Sequence, residues 1–323
     1  MKAFTYEKPE GLVLKEIPIP QAGPGQVLLA IEAAGLCHSD TLIAAGRGDG
    51  FIHKQPPIVL GHEVAGTVIA LGPGVTQARL GDRVAVAQIV HPISEVDWSQ
   101  SIGLGYDGGY AQYALAPVTH LVQLPDNVSF EQAAVATDSI ATAYHAIMVE
   151  GQITAGMTVV VIGLGGLGSN GVKIAALHGA TVYGVDIDTV KFEGAKQNGA
   201  VECFSSLSSL PDVPIDVIAD FAGIGTTTSD AIAAVKAGGR VVLVGLGNAE
   251  FKLSVTALVA RNIELRGSIG SGLKELAAVI ELIANRSLLP VVEEVPFAQV
   301  REGLERLDRP GVLGRMFTRP NKT

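Results

Sequence analysis

The stretch VVVIGLGGLGSNGVKIAALHGATVYGVD, residues 159–186, decides how the chain folds. A valine-rich apolar run ends at Gly163, a helical pattern opens within a few residues, and a second β-type run ends at Asp186. Gly163, Gly165 and Gly168 stand in G-x-G-x-x-G spacing at the turn from strand to helix, with Gly166 and Leu167 in the same loop. In that setting Gly163 allows a tight turn, Gly165 lets a pyrophosphate approach the backbone, and Gly168 lets helix and strand pack closely. The N-terminus of the helix then faces the phosphate charge. Asp186 lies near the roughly 20-residue offset at which a carboxylate accepts hydrogen bonds from an adenosine ribose. A 2′-phosphate would meet Asp186 and Asp188 with no arginine following, only Lys191, so the spacing favours NAD over NADP. A glycine loop that merely turns a strand into a helix is the bland alternative, and it leaves the placed strand, helix and acid without a reason.

Outward from this stretch, strand and helix alternate from about residue 155 to 270, through TVYGVD, IDVIAD, RVVLVG and NIELRGS. Such alternation predicts βαβ units on a doubly wound parallel sheet with helices on both faces. Before about residue 140 the chain changes character. Short β-type runs (QVLLAIEAAG, EVAGTVIAL, DRVAVAQ, YAQYALAP) are cut by PQAGPGQ, LGPGV and LGDR, which predicts a small, irregular β-barrel. After the alternating region, GLKELAAVIELIANRSLL reads as an amphipathic helix and GVLGRMFTRP as a closing strand. The fold class is therefore α/β.

A chain of 323 residues, 48% of them hydrophobic, has room for a large core and for two domains. Its net charge of −9 and 5% aromatic content give neither the basic surface nor the stacking platform of a nucleic-acid binder. The most apolar run, MTVVVIGLGGLG, is shorter than the about 20 apolar residues needed to cross a bilayer, so no membrane span is expected. Cys37 and Cys203 make no disulfide framework and MKAFTYEKPEGLVLKEI has no long apolar h-region, which together predict a cytoplasmic setting.

Cys37 follows GL and precedes a histidine, a serine and an aspartate in GLCHSD. A lone cysteine is ordinarily a small buried hydrophobe. His62, between a glycine and Glu63 in VLGHEVAGTV, changes the weighing, because thiolate and imidazole are ligand types zinc prefers. A catalytic zinc needs a third protein ligand and an open position.

The motifs AAGLCHSD, GHEVAGTV, ATAYHAI, VVVIGLGGLG and GRMF, in this order over nearly the whole chain, resemble the zinc-dependent alcohol dehydrogenases of the medium-chain dehydrogenase/reductase superfamily. The resemblance implies a GroES-like irregular β-barrel catalytic domain of residues 1–138 and 269–323, with a Rossmann NAD-binding domain of residues 139–268 inserted. Cys37 and His62 match the first two catalytic zinc ligands. The third is usually a cysteine four residues before the threonine of a T-x-Y segment; here that threonine is Thr142 and the position holds Asp138. A carboxylate binds zinc at about 2.0–2.2 Å and carries the same formal charge as a thiolate. It donates less electron density, which predicts a stronger Lewis acid and a looser preference for zinc over cobalt or manganese. Asp138 also reads as the N-cap of a helix beginning in ATDSIATAYHAI.

The same resemblance implies the remaining roles. Glu63 sits behind the metal or is a buried ion-pair partner, and Asp40 holds the ligand histidine's other nitrogen or forms an Asx turn. Ser39 passes the alcohol proton or caps a turn. His38 contacts the coenzyme or lies on the surface, Thr142 and Leu167 meet the nicotinamide side, and Lys191 meets the adenosine ribose. Arg315 meets the pyrophosphate or is an exposed terminal arginine. Two departures stand out. Leu42 occupies the place of a relay histidine, so the proton leaves through the ribose hydroxyl and His38 or through water. The segment AQIVHPISEVDWSQSIGLGYDGG carries no cysteine where a structural zinc lobe would lie, so one zinc per chain is expected. Trp98 in that segment lines a substrate entrance or an oligomer contact, and the other histidines read as structural.

The leading function is a reversible, NAD-linked oxidation of a primary or secondary alcohol to aldehyde or ketone. A zinc-free quinone or enoyl-thioester reductase and a non-catalytic nucleotide-binding protein are the alternatives. The resemblance also implies a homodimer or homotetramer built through Rossmann edges.

Overall fold

TVVVI forms a strand, Thr158–Ile162, whose three valines are fully buried. A strand apolar on both faces belongs inside a parallel sheet covered on both sides. The computed structural model describes residues 1–307, 309, 311, 312 and 314–322. They fall into two compact units, Thr142–Gly270 and Met1–Ala141 with Ser271–Thr323.

In the unit Thr142–Gly270 the strands run, edge to edge, Ala200–Phe204, Thr181–Val185, Thr158–Ile162, Val217–Asp220, Arg240–Leu243 and Glu264–Gly267, all parallel. Relative to chain order this is third, second, first, fourth, fifth, sixth, the arrangement of a dinucleotide-binding sheet. The order reverses between Thr158–Ile162 and Val217–Asp220, and the crevice at that reversal is where such sheets bind ligands. Val160, Ile162, Ile218, Ile232, Val235 and Val241 build the core, each contributing roughly 1.5–3 kcal/mol by leaving water. Gly163 adopts φ +83°, and a Cβ on Gly168 would lie 1.7 Å from the Gly163 carbonyl oxygen. The helix Gly166–Leu177 can pack onto its strand only because that Cβ is missing.

The other unit has a three-stranded sheet (Gly11–Glu16, Lys2–Glu7, Ile58–Val59) and a larger, bent one. The axis of the larger sheet is Gln26–Gly35, the strand foreseen in QVLLAIEAAG. Along one edge it pairs antiparallel with Glu63–Leu71; along the other it pairs with Tyr113–Pro117 near its start and Arg315–Thr318 near its end. Register shifts at Leu28/Leu29 and Ile31/Ala33 bend it, as a closing barrel requires. Leu29, Ile31, Val64, Val84, Tyr110 and Met316 are among the side chains that fill the interior. The register sets Gly35 opposite both Glu63 and Phe317, bringing three distant segments to one end of the sheet.

One expectation needs correction. No helix begins at Asp138. The helical run opens earlier, at Phe130–Val135, where Ser129 and Gln132 form a capping box. It passes into a π-helical turn, Ala136–Ile140, that carries Asp138 inside the run. Such turns are rare and cluster at functional sites. Among the described residues no helix is long and apolar enough to cross a membrane.

Candidate metal centre and dinucleotide site

The end of the strand Gln26–Gly35 delivers Cys37, which stands at the N-cap of the short helix His38–Ala44. His62 comes from the residue before Glu63–Leu71, and Asp138 from the π turn. Ligand atoms of Cys37, His62, Glu63 and Asp138 all lie within 4.8 Å of one another, and all four residues are buried. Asp138 Oδ2 is 3.4 Å from Cys37 Sγ and 3.6 Å from His62 Nε2. Zinc bonds of about 2.0–2.3 Å in a tetrahedron set ligand atoms roughly 3.3–3.8 Å apart, so these spacings fit a zinc ion. The donor types fit as well: a thiol, an imidazole and carboxylates. The Ser39 hydroxyl faces the same point, 3.2 Å from Cys37 Sγ and 3.4 Å from His62 Nε2.

Around these atoms lies a layer of fully buried polar groups. His62 Nδ1 and Asp40 Oδ1 are 3.2 Å apart, and the Tyr110 hydroxyl donates to Asp40 Oδ2 at 2.7 Å. Burial by itself would depress the His62 imidazole; the Asp40 carboxylate, followed by Cys37 and Asp138, holds it well above the ordinary histidine value. Arg315 grips Glu63 with two hydrogen bonds, from Nε at 3.2 Å and from Nη2, and reaches Asp138 Oδ2 at 3.5 Å. Burial pushes the Glu63 carboxyl up to about 7 against the pull of Arg315. Glu63 can lie there because residue 35 is glycine: a Cβ at that position would stand 1.9 Å from Glu63 Oε2.

The arrangement differs from the sequence reading at Arg315. Arg315 is neither an exposed terminal arginine nor turned toward solvent, but is inside the barrel on Glu63 and Asp138. The exposed His38 lies with Nε2 2.9 Å from the Leu307 carbonyl oxygen. Trp98 stacks on His53 with ring centroids 5.1 Å apart. Tyr110 escaped the sequence reading. The available signal was a tyrosine after two glycines in DGGYAQY, a residue type whose hydroxyl usually finds a hydrogen-bond partner when buried.

In the other unit Gly165 is exposed, and a Cβ on it would meet nothing within 4 Å, leaving open the approach to the start of the helix. Asp186 directly follows the strand Thr181–Val185, its Oδ2 accepting the Leu164 N–H at 2.7 Å and its Oδ1 accepting the Asp188 N–H at 2.9 Å. Lys191 Nζ reaches both oxygens, at 3.2 and 3.0 Å. Thr142 is buried at the head of this unit and Leu167 half-buried in the glycine loop.

Comparison with known proteins shows the family. Residues 23–126 match the Alcohol dehydrogenase GroES-like domain, and residues 166–285 match Zinc-binding dehydrogenase. An alcohol dehydrogenase of Geobacillus stearothermophilus is 31% identical over 98% of both chains. The structure of acetophenone reductase from Geotrichum candidum in complex with NAD superposes with a TM-score of 0.88 at 34% identity, covering 98% of this chain and 96% of that one. A cobalt- and zinc-bound thermostable alcohol dehydrogenase from Pyrobaculum aerophilum gives 0.88 at 29% identity over 99% of both.

Proposed function

The chain belongs to the zinc-binding alcohol dehydrogenase family, and from that premise we propose that it interconverts a primary or secondary alcohol with its aldehyde or ketone, using NAD and one zinc ion per chain. The observation that carries this reading is the convergence of Cys37 Sγ, His62 Nε2 and Asp138 Oδ2 at the spacings of a zinc tetrahedron. When bound, zinc supplies the Lewis acidity that lets an alcohol lose its proton near neutral pH, and NAD supplies the hydride acceptor.

The chain's own residues do the rest. The Cys37 thiolate, neutral His62 and the Asp138 carboxylate hold the ion and cancel its charge. Asp40 fixes the His62 ring through Nδ1, leaving Nε2 for the metal. Ser39, directed at the same point, takes the alcohol proton. With Leu42 in place of a relay histidine, that proton leaves through the ribose hydroxyl and His38 or through water. Glu63, a further carboxylate of the cluster, is held by Arg315. Gly163, Gly165, Gly166 and Gly168 seat the pyrophosphate, Leu167 and Thr142 meet the nicotinamide side, and Asp186 with Lys191 meets the adenosine ribose, which favours NAD over NADP.

The protein acts in the cytoplasm as a homodimer or homotetramer. The sheet edge Glu264–Gly267, which has no further strand beside it among the described residues, with Val255 and Val259 exposed on the preceding helix, supports assembly there. The converging ligand set weighs against a zinc-free quinone or enoyl-thioester reductase and against a nucleotide binder without catalysis. Incubation with NAD and a panel of alcohols, before and after chelation, tests the proposal. NADH formation that chelation abolishes and zinc restores is the expected result. Formation indifferent to chelation would return the chain to the zinc-free class.

A further inference from the structure

Tyr110 closes a circuit around His62. Its hydroxyl carries one proton, and two acceptors face it: Asp40 Oδ2 at 2.7 Å and the Gly35 carbonyl at 3.0 Å. The carboxylate is the nearer and the stronger acceptor, because it is charged. The backbone of the tyrosine is tied to the segment that delivers His62. The Gly108 N–H donates to Val59, the Gly109 N–H to Gly61 and the Tyr110 N–H to Leu60, at 2.8, 2.7 and 2.9 Å. A Cβ on Gly61 would stand 2.6 Å from the Tyr110 ring, so ring and backbone meet directly beside the ligand histidine.

We infer that Tyr110 is a positioning residue for the metal centre: it pins Asp40, which in turn aims His62 at the metal. Asp40 is fully buried. Tyr110 fixes Oδ2, which leaves Oδ1 facing His62 Nδ1 and Nε2 facing Asp138 and Ser39. Without the phenol, the carboxylate can rotate about its last bond and the imidazole with it. Removing an outer partner of a metal ligand ordinarily weakens metal binding by about 10- to 100-fold. The inference rests on the zinc reading above and adds to it a residue that touches neither metal nor substrate.

The test compares wild type with Tyr110→Phe, which deletes only the hydroxyl, by zinc competition against a chromophoric chelator and by the absorption spectrum of the cobalt(II)-loaded protein. Tyr106→Phe is the control, since the Tyr106 hydroxyl is buried with no hydrogen-bond partner among the described residues. The expected result is zinc binding about tenfold weaker in Tyr110→Phe, a changed cobalt ligand-field spectrum, and both unchanged in Tyr106→Phe. In an Asp40→Asn background, Tyr110→Phe should add little, because the phenol acts through the carboxylate. Wild-type affinity and spectrum in Tyr110→Phe, or an undiminished effect in the Asp40→Asn background, would overturn the inference. Should Tyr110→Phe not fold, Asp40→Asn alone reads the circuit at its middle, and wild-type zinc affinity there overturns it equally. A wild-type chain that binds no zinc would instead remove the premise, and the inference with it.

Discussion

Replacing Asp138 by asparagine keeps the shape of the side chain but removes one negative charge and one good zinc-ligating oxygen. Asp138 Oδ2 is the atom that sits 3.4 Å from Cys37 Sγ and 3.6 Å from His62 Nε2, so the change strikes the centre of the cluster. A four-ligand zinc site binds with about 10–16 kcal/mol; shared evenly, one ligand contributes about 2.5–4 kcal/mol, or roughly 10²- to 10³-fold in Kd. The metal-free fold should lose little. Arg315 keeps both hydrogen bonds to Glu63, and its Asp138 contact is long, at 3.5 Å, so the stability change should stay within about 1 kcal/mol. Glu63 also loses a like-charged neighbour, which lowers its pKa and strengthens its pairing with Arg315. The assay is zinc competition against a chelator, beside thermal unfolding of both metal-free proteins. Unchanged zinc affinity in a normally folded variant would refute the assignment of Asp138 as a ligand. Collapse of the metal-free fold would assign the residue to the Arg315 ion-pair network instead.

Three more outcomes follow from the same geometry. Because Asp40, Cys37 and Asp138 hold the metal-free His62 above its ordinary pKa, a proton competes with the metal for Nε2; zinc affinity should fall as the pH is lowered through that pKa, by about tenfold per pH unit for this proton, and a pH-independent titration would contradict this. Asp186→Ala frees Lys191, whose Nζ is 3.0 Å from Asp186 Oδ2, to meet a 2′-phosphate, so the ratio of kcat/KM for NAD over NADP should drop roughly 10²-fold; an unchanged ratio would show that Asp186 does not contact the ribose. Gly35→Ala places a Cβ 1.9 Å from Glu63 Oε2 and 2.9 Å from Glu63 Cβ, which should destabilise the protein by about 1–3 kcal/mol in chemical unfolding; a neutral result would mean that Glu63 leaves its place freely.

The nucleotide half was legible because its signals are local. Gly163, Gly165, Gly168 and Asp186 stand within one βαβ unit, and valine strands buried on both faces announce a parallel sheet. Cys37 and His62 were legible from their immediate neighbours, and Asp138 only by counting back from Thr142. The conformation at Asp138 was not legible, since a π turn differs from an α turn by one hydrogen-bond step and ATDSI carries no sign of it. Arg315 was misread for a different reason. Its partner is set by antiparallel pairing of Arg315–Thr318 with the far end of Gln26–Gly35, a contact across most of the chain. Tyr110 was missed likewise: Asp40 lies 70 residues away, and no periodicity reports which buried carboxylate a buried phenol will find.

The most direct test is the zinc content of the purified wild-type chain, measured beside its NAD affinity. About one zinc per chain is predicted, held by Cys37, His62 and Asp138, in a protein that also binds NAD. A folded, NAD-binding chain that contains no zinc and takes up none when it is supplied would contradict the account.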